Sequence, residues 1–144
     1  MKQSLDVYFQ TILSYVKGYQ DFNVLGHMTF IKRYLHYLNT HWVDVNWGDY
    51  GEVVDEIFRE LIQTSRGIEV NLSGFRYRID CTLPNLPLIK RYKELGGEII
   101  TVGTDAHSRE LVGKDISLGY DLLLEAGFRY VTTFSERKPV FRNL

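Results

Sequence analysis

Apolar residues recur at three- and four-residue steps between positions 5 and 16, where Leu5, Tyr8, Phe9, Ile12, Leu13 and Val16 share one helical face. Ser4 is placed to cap this helix and Gly18 to end it. The pattern then shortens. Residues 22–26 read as a strand with His27 at its end, and residues 28–38 as a short helix carrying Lys32 and Arg33. Residues 39–50, with His41, Trp42 and Trp47, lose regularity and read as an excursion from the core. Asp49 and Glu52 have the spacing of a capping box ahead of the clearest amphipathic helix, built on Val53, Val54, Ile57, Phe58, Leu61 and Ile62 and closed by Arg66 and Gly67.

The second half repeats this rhythm. Residues 68–71 are a strand, residues 72–76 turn out of it, and residues 77–83 read as an extended loop. Pro87 suits the first turn of a helix carrying Leu88, Ile89, Tyr92 and Leu95, which Gly96 and Gly97 end. The β-branched run at 98–102 is a buried strand leading into Gly103, Thr104, Asp105, Ala106, His107 and Ser108. Residues 108–114 read as loop, and 115–126 as a helix with Ile116, Leu118, Leu122 and Leu123 as its apolar positions. Residues 130–134 are the last strand, followed by a polar stretch at 135–139 and a tail. Helices alternating with four strands at roughly thirty-residue spacing predict an α/β fold with a parallel sheet.

Composition narrows the class without naming a chemistry. A chain of 144 residues with 44% hydrophobic and 24% charged residues is one globular domain. Its net charge of −1 gives no basic field for nucleic acid, and no apolar run reaches membrane-spanning length. A lone Cys81 allows no internal disulfide, and no basic-then-apolar leader opens the chain, so the expected place is the cytoplasm.

The informative polar residues fall where the strands end. His27 follows the first strand; Asn71, Ser73 and Arg76 follow the second; Asp105 and His107 follow the third; Ser135 and Arg137 follow the fourth. In a parallel α/β protein these ends share the face that carries the chemistry. Asp105 and His107 are two apart, so an extended segment points both the same way. His27, Asp105 and His107 supply nitrogen, oxygen and nitrogen donors suited to one or two divalent ions. Arg76 offers a planar fork that matches a phosphate, with Asn71 and Ser73 beside it as substrate-binding candidates. Lys32, Arg33, Arg78, Arg137 and Lys138 read as surface charge, and His36 and His41 as non-ligands. Glu69 lies within a strand and needs a partner, for which Arg76 or a neighbouring basic group is the candidate.

The segments Val24-Leu25-Gly26-His27 with Ile31-Lys32-Arg33-Tyr34, then Glu69-Val70-Asn71-x-Ser73-Gly74-x-Arg76, then Gly103-Thr104-Asp105-Ala106-His107 resemble the third and fourth motifs of the PHP (polymerase and histidinol phosphatase) superfamily. The Glu-Val-Asn segment is similar to that of its histidinol-phosphatase branch. The resemblance implies a distorted (β/α)7 TIM-like barrel with a trinuclear centre of zinc, manganese or iron. It also implies hydrolysis of L-histidinol phosphate to L-histidinol and phosphate, late in histidine biosynthesis, by a hydroxide that the metals activate. By position, His27 is the third-motif metal ligand, Asp105 and His107 are the fourth-motif catalytic ligands, and Arg76 is a phosphate-binding group.

The family opens with a His-x-His motif and further His and Glu ligands, none of which occurs in this chain. The expected architecture for residues 1–144 is therefore the C-terminal half of the barrel, about four βα units, with the first metal motifs absent. Such a half leaves strand edges and an apolar surface open, to be covered by self-association or by a separate N-terminal half. Three ligands are too few for a trinuclear centre, so the chain alone is expected to turn over little or no substrate. The competing readings are a PHP hydrolase for another phosphoester and a non-catalytic oligomeric remnant.

Overall fold

The computed structural model describes residues 2–39, 41, 46–77 and 79–144, with residues 36 and 38 described by their backbone alone. Trp42, Arg78 and the side chain of His36 therefore lie outside the described residues. The elements run α1 (Lys2–Gly18), β1 (Val24–Leu25), a 3₁₀ segment Phe30–Leu38, a second at Trp47–Tyr50, then α2 (Gly51–Gln63) and β2 (Gly67–Asn71). They continue with α3 (Ser73–Arg76), α4 (Leu86–Glu94), β3 (Ile100–Gly103), a 3₁₀ turn Arg109–Leu111, α5 (Ile116–Glu125), β4 (Tyr130–Ser135) and β5 (Lys138–Asn143).

Strands β1, β2 and β3 form one parallel sheet in that order. Leu25 pairs with Ile68, Ile68 with Ile100, and Asn71 with Gly103, so the C-terminal ends of all three open on one face. The middle strand is buried throughout except at Glu69. Leu5, Phe9, Leu13 and Val16 of α1 join Val54, Ile57, Phe58 and Leu61 of α2 in one core with Ile68, Val70 and Ile100 of the sheet. Apolar periodicity found these two helices because their inward faces are continuous. Arg91 of α4 ties itself to α2 by a two-pronged contact, its Nε and Nη2 donating to the two carboxylate oxygens of Asp55 at 2.9 and 2.6 Å.

The C-terminal part corrects the expected four parallel strands. The residues read as polar stretch and tail form β5, antiparallel to β4 with Ser135 opposite Lys138 and Tyr130 opposite Asn143. Glu136 and Arg137 both take left-handed φ, 48° and 65°, as a two-residue hairpin turn with right-handed twist requires. Neither residue type signals that conformation, so the hairpin is silent in the sequence. The hairpin meets the parallel sheet through the Ile100 N–H, which donates to Thr132 Oγ1 at 3.1 Å. Ser135 and Arg137 accordingly leave the strand-end face. Arg137 pairs with Asp21 at 2.6 Å and its carbonyl accepts from Asn23 Nδ2, both ahead of β1 and across the sheet from His27.

Smaller corrections have local causes. Ser4 lies inside α1, and α2 starts after Tyr50 with no side-chain cap, because Asp49 instead accepts from Asn46 Nδ2 at 2.9 Å. The residues after β2 make a helical turn, and residues 30–38 are 3₁₀ rather than α-helical. Helix α5 turns Gly119 and Leu123 inward and leaves Leu118 exposed. Gly119 packs on Val102 and Leu72, where a Cβ would collide, so a residue with no side chain sets the buried face. Lys32 is only 4% exposed and not surface charge. Its stem is buried, its ammonium sits 5.0 Å from the Trp47 ring centroid and 3.9 Å from Cys81 Sγ, and burial lowers its pKa while raising that of the Cys81 thiol.

Candidate functional site

The ends of β1, β2 and β3 bring His27, Glu69, Asn71 and Asp105 together. His27 and Asp105 both stand just past a strand end with left-handed φ, 58° and 51°. For residues other than glycine this conformation costs about 1 kcal/mol. Here it turns each chain sharply as it leaves the sheet. His27 Nε2 is 3.6 Å from Asp105 Oδ2, and His27 Nδ1 is 3.4 Å from Glu69 Oε2. The imidazole thus has two carboxylates close by, Glu69 nearer Nδ1 and Asp105 nearer Nε2. The Phe30 ring lies edge-on to it, centroids 5.2 Å apart.

Glu69 is the member that the sequence reading left outside the site. Its partners are His27 and Asn71, whose Nδ2 donates to Oε2 at 3.2 Å, and not Arg76. Room for the carboxylate comes from glycine on both flanking strands. A Cβ on Gly103 would collide with Oε1, and one on Gly26 would lie 3.2 Å from Oε2. The signal for this was present: Glu69 and Asn71 alternate onto one face of β2, and a glycine occurs at the end of each neighbouring strand.

Arg76 reaches the same place but spends its fork on the backbone. Its Nη1 donates to the Thr104 carbonyl at 2.6 Å and its Nη2 to the Asp105 carbonyl at 2.7 Å. It therefore pins the turn that presents the Asp105 carboxylate. Asn71 and Ser73 are fully buried. Asn71 exchanges backbone hydrogen bonds with Leu83, and its Oδ1 accepts from the Ser73 N–H at 2.9 Å. Both side chains are closed to solvent in this structure. His107 is the outlier: 73% of its side chain is exposed, Nδ1 is 2.8 Å from the Asp105 carbonyl oxygen, and it lies 3.9 Å from Asp105 Oδ1. His41 is exposed.

The donor chemistry suits a divalent ion. Two nitrogen or oxygen ligands at tetrahedral angles on one zinc lie about 3.4 Å apart, close to the 3.6 Å between His27 Nε2 and Asp105 Oδ2. Among the described residues, however, no three His, Cys, Asp or Glu side chains gather as a ligand group for one ion. The reason is geometric. Glu69 comes near Nδ1 of the imidazole while Asp105 comes near Nε2, and His107 is turned onto a backbone carbonyl. The structure thus brings His27 and Asp105 close together, with His107 exposed beside them.

No helix among the described residues is long and apolar enough to cross a membrane. No family model matches the chain. Curated proteins do. The chain is 30% identical over 113 residues to a protein named "Probable histidinol-phosphatase" from Clostridium acetobutylicum, covering 78% of this chain and 42% of that protein. It is 28% identical over 137 residues to the histidinol-phosphatase of Lactococcus lactis subsp. lactis, covering 91% and 47%. Among solved structures, the histidinol phosphate phosphatase of the same Lactococcus, complexed with zinc, L-histidinol and phosphate, superposes at a TM-score of 0.71 with 26% identity. That superposition covers 92% of this chain and 49% of the other. A second structure, from Listeria monocytogenes, shares the fold at a TM-score of 0.70 with 15% identity. The chain is a relative of the histidinol-phosphatases, the PHP branch that its motifs resemble, and it spans about half the length of the relatives it matches.

Proposed function

We propose that this chain forms the C-terminal half of a PHP-type (β/α)7 barrel, residues 1–144 being one partial domain, and that it contributes to metal-dependent hydrolysis of L-histidinol phosphate. The observation that carries the reading is the pairing of His27 Nε2 with the Asp105 carboxylate at the shared strand ends. The relationship to a phosphatase solved with zinc, L-histidinol and phosphate supports it. In this reading His27 and Asp105 hold a divalent ion, zinc, manganese or iron, and His107 at the mouth adds a donor once other ligands are supplied. A bound ion provides an acidified water and positive charge against the phosphoryl oxygens. Arg76, fixed on the Thr104 and Asp105 carbonyls, keeps the Asp105 carboxylate aimed at His27 and adds its charge on the side where a phosphate enters. The free Cys81 suits a reducing cytoplasm.

The ion needs more ligands than two side chains supply, and among the described residues β1 carries a strand neighbour on one side only. Both point to a second polypeptide segment along that edge, from an N-terminal half or another copy. The test is a chimera in which this chain replaces the matching half of the Lactococcus lactis histidinol-phosphatase. The chimera is expected to release phosphate from L-histidinol phosphate with zinc and to stop on chelation, while the isolated chain releases little. A folded chimera that cleaves only other phosphomonoesters moves the substrate assignment. One that cleaves none supports a non-catalytic role.

A further inference from the structure

We propose that Tyr8 of α1 is a positioning residue for His27, holding the backbone turn that presents the imidazole to Asp105. The inference starts from the cost of that turn. A left-handed φ in a residue other than glycine persists where the surroundings over-determine it. At Asp105 the restraint is Arg76, whose fork takes the carbonyls of residues 104 and 105. At His27, where φ is 58°, the equivalent restraint comes from 19 residues upstream. The Tyr8 hydroxyl donates toward two carbonyl oxygens, Met28 at 3.1 Å and His27 at 3.3 Å. The His27 carbonyl also accepts from the Phe30 N–H at 2.8 Å, and the Thr29 carbonyl from the Lys32 N–H at 3.0 Å. The phenol therefore fastens the first turn after β1 from outside, at the residue whose φ is strained.

Helix α1 gives that hydroxyl a fixed place. Leu5, one turn earlier, and Phe9, next in line, are fully buried, and the Tyr8 and Phe9 rings meet edge-on with centroids 5.3 Å apart. Burial raises the Tyr8 pKa, with backbone hydrogen bonds to Ile31 and Phe30 opposing the rise, so the phenol keeps its proton and remains a donor. Without the hydroxyl, the turn keeps its own backbone bonds but loses its tie to the helix. His27 is then free to relax toward a cheaper φ. Its ring would leave its place 3.6 Å from Asp105 Oδ2. The proposal rests on the metal-site reading for its purpose, but its first test needs no metal.

Hydrogen exchange in the chimeric phosphatase, stripped of metal, reads the turn directly. Tyr8→Phe removes the hydroxyl alone. In this variant the Phe30 and Lys32 amides are expected to exchange about fivefold faster, the factor that one hydrogen bond carries, while the amides of α2 keep their wild-type rates. Zinc affinity should fall about 10-fold or more, as it does when a group that orients a metal ligand is lost. Val16→Ala, which thins the buried face of the same helix, is the control for a merely structural role. It should lower the midpoint of heat denaturation and leave zinc affinity unchanged. Unchanged exchange at both amides in Tyr8→Phe, an undiminished zinc affinity in that variant, or an equal loss of affinity in Val16→Ala overturns the proposal. Faster exchange at the turn, in a chimera whose wild type takes up no zinc, upholds it and sinks the metal-site reading instead.

Discussion

Asp105→Ala in the chimeric phosphatase is expected to lower kcat/KM for L-histidinol phosphate about 10³-fold or more. The carboxylate is the one oxygen donor placed against His27 Nε2, and the backbone around it is built to keep it there. Left-handed φ at Asp105 swings the side chain off the strand, and Arg76 fixes the carbonyls of residues 104 and 105 on either side of that residue's Cα. Metal charge at a phosphoryl centre is worth several kcal/mol, and about 4 kcal/mol corresponds to the stated factor. Steady-state phosphate release, with circular dichroism to show that the variant folds, makes the comparison. Retention of more than about a tenth of the wild-type value would remove Asp105 from the metal site, since a lost ligand costs more than a single 1.4 kcal/mol step.

The second large effect is on stability. Arg66 is 3% exposed and closes the C-terminus of α1 from the start of β2. Its Nη2 donates to the Val16 carbonyl at 2.7 Å, its Nη1 to the Tyr19 carbonyl at 3.0 Å and its Nε to Thr64 Oγ1 at 2.8 Å. The guanidinium also lies over the Phe22 ring, 4.4 Å from its centroid. The last carbonyls of a helix lack intrahelical donors and carry partial negative charge, so a buried cation there satisfies both needs. Arg66→Ala leaves carbonyls without a donor in a place water reaches poorly and removes the packing of the stem. The expected cost is about 3 kcal/mol, read as a lower midpoint in urea or heat denaturation. Arg66→Lys, with a point charge in place of a fork, should recover only part of it. A loss below about 1 kcal/mol for the alanine variant would mean that the carbonyls find other donors.

How much of this was legible from the residues depended on whether the signal was local. The faces of α1 and α2 follow from periodicity because burial there is decided by side chains that repeat along one helix. The three parallel strands follow from short β-branched runs between glycines. The convergence of His27 and Asp105 followed from counting which polar residues come after each strand, since a parallel sheet puts those ends on one face. What stayed hidden depends on partners far along the chain. Glu69 reads as a misplaced charge until Gly26 and Gly103 are seen on either side. Arg66 reads as the end of α2, although its work is on α1. Arg76 reads as a free phosphate fork because nothing local announces that its partners are two carbonyls 28 and 29 residues away. The β4–β5 hairpin was missed because its turn residues are Glu136 and Arg137, which must be forced into left-handed φ by the pairing on both sides.

The relation between His27 and Asp105 is the point on which the functional account turns. The most direct measurement is anomalous scattering at the zinc edge from crystals of the chimeric phosphatase grown with zinc. The account predicts a peak about 2.0–2.2 Å from both His27 Nε2 and an Asp105 carboxylate oxygen. A peak on Nδ1 between His27 and Glu69, or zinc bound only elsewhere on the molecule, would contradict it.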